Sequence, residues 1–105
     1  MDERLVHQNL TPPRDQGWIP APTVAKLRDV VRRYLEGERN VGSEVELVAT
    51  AVANAANAAG HTPERMLIAV RELWRDLALP QHDRLQLAGL YDRLVRRTID
   101  HYYHT

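Results

Sequence analysis

The sequence contains no cysteine, which excludes disulfides, thiolate nucleophiles, cysteine-ligated zinc and iron–sulfur clusters. It also lacks an excess of either charge, with 14 Lys and Arg against 14 Asp and Glu in 105 residues. A dominant nucleic-acid or anionic-membrane partner normally leaves a basic excess, so this balance disfavours both. Long apolar runs are missing as well. The longest stretch free of charge, Leu47–Pro63, is 17 residues, Ala-rich, and interrupted by Asn54, Asn57 and His61. A membrane-spanning helix needs about 20 predominantly apolar residues. The N-terminal Met-Asp-Glu-Arg-Leu-Val-His has no basic region followed by an apolar one, so no signal peptide is expected and the expected address is cytoplasmic. Lysine is nearly absent: the cations are 13 Arg and Lys26 alone, so amine chemistry has one candidate.

What is present reads as one domain of ordinary apolar content. Residues 1–22 hold Pro12, Pro13, Pro20 and Pro22, four of the six prolines, together with Gly17. Proline fixes φ and forces the preceding residue extended, so this segment predicts a Pro-rich extended arm. Leu5, Val6, Leu10, Trp18 and Ile19 make it too apolar for a solvated linker.

Residues 23–105 predict four helices. The first, over about 23–38, aligns Val24, Leu27, Val30, Val31, Tyr34 and Leu35 at three- and four-residue spacing. The second opens at Ser43 with Glu46 three residues on, the pattern of a capping box, and stops at Gly60. Its stripe is Val45, Val48, Val52, Ala55, Ala56 and Ala59. The third opens Thr62-Pro63-Glu64, a cap residue, a proline at the first helical position and an acid at the positive dipole end. Its stripe is Met66, Leu67, Val70, Leu73, Trp74 and Leu77, and Pro80 marks its end. The fourth begins near Gln81–Asp83 and reaches about Tyr102. Leu87, Leu90, Tyr91, Leu94, Val95, Thr98 and Tyr102 line its inner face. No stretch alternates with period two, and the connections are short. The expected fold is therefore all-α, a compact antiparallel four-helix bundle behind the arm.

Chemistry-bearing constellations are sparse. Ala56–Met66 echoes a helix-turn-helix, but only Glu64 and Arg65 are polar near the start of its second helix, too few to read base edges. Arg28, Arg32 and Arg33 on helix one, with Arg93, Arg96 and Arg97 on helix four, would be the nucleic-acid alternative. Asp29–Arg33, Asp92–Arg96 and Arg96–Asp100 are spaced as ordinary surface pairs, which favours a solvated face. Asp100, His101 and His104 could begin a metal site, yet further ligands would have to come from His7 or His82, and no metal is expected. Glu72 and Asp76 stand four apart, with Arg71, Arg75 and Arg65 nearby to neutralise them. Ser43 is read as a cap. Thr11, Thr23, Thr50, Thr62 and Thr98 have no His–Asp pair beside them. The five glycines are scattered, so no phosphate loop forms. Neither a catalytic role nor a cofactor is expected.

The remaining signal is surplus apolar surface. Leu47, Ala51, Asn54 and Ala58 lie roughly opposite the main stripe of helix two, giving that helix a second small, apolar face. Ile68 lies off the stripe of helix three, and Tyr103 off that of helix four. These positions, with Trp18 and Ile19 on the arm, predict a protein–protein interaction module, either a homo-oligomer or an accessory subunit. The arm is expected to dock in its own chain on the second face of helix two, with small Ala51 and Ala58 admitting Trp18 and with Asn54 as a polar partner. The surface around Ile68 is the alternative dock.

Overall fold

The computed structural model describes residues 17–77 and 81–104, without the side chains of residues 81–84. Leu5, Val6, His7, Leu10, Thr11, Pro12, Pro13 and Pro80 lie outside the described residues, as does the His82 side chain. Four helices follow one another: α1 (Ala21–Leu35), α2 (Gly42–Ala59), α3 (Pro63–Asp76) and α4 (Gln81–Tyr103). There is no strand among the described residues. The all-α bundle expected from periodicity is the observed fold.

Helix α1 begins two residues earlier than proline spacing suggested, and Pro22 falls in its first turn. Those positions have no intrahelical N–H bond to lose, so the proline costs the helix nothing there. The segment ahead of it is a turn and a bend over Gly17–Ile19, with Pro20 extended. At its other end α1 stops at Leu35 rather than about residue 38, because Gly37 takes a left-handed φ of 106°.

The capping box at the start of α2 does not form. Val41 is the N-cap, there is no side-chain cap, and Ser43 is already helical. Val41 is completely buried and its carbonyl accepts from the Val45 N–H at 3.0 Å, so packing of that valine sets where the helix begins. Glu46, the would-be reciprocal partner, is engaged by α4 instead. The other end follows expectation: Gly60 closes α2 in the left-handed conformation at φ 75°. Thr62 caps α3, its hydroxyl accepting from the Arg65 N–H at 3.2 Å.

Helix α2 is central and touches all three others, most extensively α4. Its buried row is Val45, Val48, Ala49, Val52, Ala53 and Ala56. Ala49 and Ala53 are buried where Ala55 and Ala59 of the expected stripe are not, because contacts with both α1 and α4 rotate the buried face of the helix toward them. Cross-links between α2 and α4 advance in the same direction along both helices, from Glu46–Arg97 to Thr50–His101 to Asn57–Tyr102. The two helices therefore run in the same direction, as second and fourth helices do when sequential neighbours are antiparallel. From α4, Leu87, Leu90, Leu94 and Thr98 complete the core. The buried Thr98 hydroxyl donates to the Leu94 carbonyl at 2.7 Å, one turn back.

Candidate interaction surface

The surface is built by the outward sides of α3 and α4. These helices meet in antiparallel fashion at one end, where Trp74 and Tyr91 pack with ring centroids 5.0 Å apart. Away from that contact they leave an open groove of about 430 Å³. Helix α3 lines it with Glu64, Leu67, Ile68 and Arg71, successive turns of one face. Helix α4 supplies Tyr91, Asp92 and Val95. The floor is apolar and the rim carries both signs of charge.

Sequence periodicity had assigned Leu67, Tyr91 and Val95 to the inner stripes. They pack against the core yet stay only partly buried, because none of the described residues closes over the groove. Of the interaction residues expected from sequence, Ile68 alone belongs here, at 36% exposure. Leu85 escaped sequence reading although it is 81% exposed. The signal was available: Leu85 is two residues before buried Leu87, which places it on the opposite side of α4.

The other candidates are dispersed. Leu47, 60% exposed, and Ala51 flank a shallow groove of about 200 Å³ with Pro22 and Lys26 of α1. Asn54 and Ala58 are exposed further along α2. Ile19 is buried in the core, whereas Trp18 is half-buried with its ring 4.8 Å from that of His61. The described end of the arm thus rests on the α2–α3 turn, and the ring contact of Trp18 is with His61 rather than with the Ala51–Asn54–Ala58 face. Tyr103, 65% exposed, stands edge-on to Tyr102, whose hydroxyl donates to the His61 carbonyl at 2.6 Å.

Electrostatics organise the rest. Arg97 grips Glu46 bidentately, Nε to Oε1 at 3.0 Å and Nη2 to Oε2 at 2.8 Å, and His101 Nε2 also meets Oε2. The Arg97 hydrogen bonds, and after them that of His101, hold the Glu46 carboxyl down at about 2. Asp100, expected to pair with Arg96, pairs with Arg97 at 3.0 Å, since the guanidinium already lies along that side of α4. Arg96 meets Asp92 at 2.9 Å. On α1, Arg33 joins Asp29, Glu38 and Glu44, while Arg32 joins Asp29 and Glu36. Arg32 first and Arg33 second keep the Asp29 carboxyl below its ordinary range. His104 turns its Nδ1–H to the Asp100 carbonyl at 2.6 Å. Among the described residues no three His, Asp or Glu side chains converge as metal ligands would, and no helix is long and apolar enough to cross a membrane.

Compared with protein-family models, curated proteins and solved structures, the chain finds no match.

Proposed function

We propose that this chain is a small, non-catalytic protein–protein interaction module that receives an amphipathic helix of its partner in the groove between α3 and α4. The observation that carries this reading is the groove itself, an apolar floor of Leu67, Ile68, Tyr91 and Val95 inside a rim of Glu64, Arg71 and Asp92. Two diverging helices offer a trough that suits a third helix presenting apolar side chains at i, i+3, i+4 and i+7. Both signs of charge on the rim call for mixed charge on the partner, which a phosphate backbone lacks. The nucleic-acid alternative has less behind it, because Arg32, Arg33, Arg96 and Arg97 each face carboxylates. A cytoplasmic setting goes with this reading.

The test is a selection of helical peptides carrying Leu at those four spacings against the purified chain, followed by titration of the winners. Binders are expected to lose at least tenfold in affinity for an Ile68→Arg, Val95→Arg variant whose melting curve is unchanged. Equal binding to that variant, or no helical binder at all, contradicts the reading.

A further inference from the structure

A second groove, of about 760 Å³, runs between α1 and α3. These two helices each touch α2 more than they touch one another, which leaves the space between them open. Val24 and Ala25 of α1 and Leu73 of α3 make its apolar part, with Arg28 on one wall and Asp76 on the other. It lies on the side of α3 away from Leu67, Ile68 and Arg71, and so is separate from the groove that faces α4. Gly17 belongs to its lining. The turn and bend over Gly17–Ile19 fold the chain back ahead of α1, with Ile19 buried in the core as the anchor. The residues before Gly17 therefore enter this groove from a fixed point on its wall.

Their sequence, Pro12-Pro13-Arg14-Asp15-Gln16, fits what the groove offers. Arg28 stands seven residues beyond Ala21, about 10 Å along the axis of α1. An extended chain running back from Gly17 at about 3.1 Å per residue covers nearly that distance over Gln16, Asp15 and Arg14. One acid and one base thus come level with Arg28 and Asp76, a base and an acid on facing walls. The prolines suit the place as well. A chain lying between two helices has no ladder for its backbone N–H groups, and proline has no N–H to satisfy. Proline also restricts the residue before it, which lowers the entropy lost on docking.

We propose that residues 12–16 occupy the α1–α3 groove of their own chain, with Arg14 against Asp76 and Asp15 against Arg28. Connectivity favours this occupant over any other, since a segment tethered at the groove wall is present at an effective concentration of about millimolar. Docked there, the segment straps α1 to α3 and covers Val24, Ala25 and Leu73. The proposal does not rest on the partner-helix reading, and it leaves the groove between α3 and α4 to the partner.

Disulfide trapping in the full chain, which has no cysteine of its own, tests the assignment. Asp15→Cys with Arg28→Cys introduces the only two thiols, the second at an exposed site. Under mild oxidation of dilute protein, this pair should close within one chain at least tenfold faster than Asp15→Cys with Leu47→Cys or with Ile68→Cys, because a disulfide needs Cα atoms within about 4.4–6.8 Å. Leu47 lies on the other flank of α1 and Ile68 in the α3–α4 groove. Adding Arg14→Asp should slow closure about threefold, the scale of an exposed ion pair, and adding Asp76→Arg as well should restore it. Equal rates for the three pairs overturn the proposal, as does closure indifferent to Arg14→Asp. Faster closure with Ile68→Cys also overturns it, by putting the segment in the α3–α4 groove, and so does a disulfide that forms between chains rather than within one.

Discussion

Leu87 and Leu85 are two residues apart on α4, one with no exposed surface and the other 81% exposed. The same substitution at each should therefore give opposite results. Leu87→Ala removes three carbons from the core, at about 0.8 kcal/mol each, or about 2.4 kcal/mol. The cavity left behind raises the cost toward about 5 kcal/mol where neighbours cannot collapse. Leu87 is fully buried in a core shared with the other helices, so little collapse is expected. At about 4 °C per kcal/mol for a domain of this size, the melting temperature should fall by about 10–20 °C. Leu85→Ala should change stability by no more than about 0.5 kcal/mol, or about 2 °C. Thermal unfolding followed by circular dichroism, with the chain dilute enough to be monomeric, measures both. Equal losses at the two positions, or a larger loss at Leu85, would refute the register assigned to α4.

Glu46→Gln should lower stability at pH 6, and the gap to wild type should close as pH falls. The Glu46 carboxyl sits at about 2 in the folded chain against an ordinary 4.5, so its contribution is complete above about 4.5 and is lost on acidification toward 2. Denaturant titrations of both proteins from pH 6 to pH 2 read this directly, and a gap that persists at pH 2 would show the loss is not electrostatic. Thr62→Ala should cost about 1 kcal/mol by removing the hydroxyl that accepts from the Arg65 N–H. Urea midpoints unchanged between Thr62→Ala and wild type would mean that Pro63 alone starts α3.

Much of the fold was legible because amphipathic periodicity is local. Leu27, Val30 and Val31 on α1, and Leu87, Leu90 and Leu94 on α4, are buried where a 3.6-residue repeat places them. The turn chemistry of Gly60 and Thr62 is local too, and it also held. The start of α2 was not legible, because Ser43 and Glu46 fit a cap in isolation. The outcome depended on burial of Val41 and on Arg97, 51 residues distant from Glu46. The groove was hidden for a related reason. Periodicity shows that Leu67, Tyr91 and Val95 share the apolar sides of their helices, but not whether another helix covers them. Ile68 was visible as an apolar residue off its stripe, and Leu85, two residues before Leu87 of the inner stripe, was open to the same reading.

The central claim, that the groove between α3 and α4 receives an apolar partner helix, is open to a direct chemical measurement because the sequence contains no cysteine. A single Ile68→Cys substitution introduces the only thiol, on the lining of that groove. With a selected helical peptide at saturation, alkylation of this thiol should slow at least tenfold, while that of Leu47→Cys, exposed on another face, should be unchanged. Equal alkylation of Ile68→Cys with and without the peptide would contradict the account.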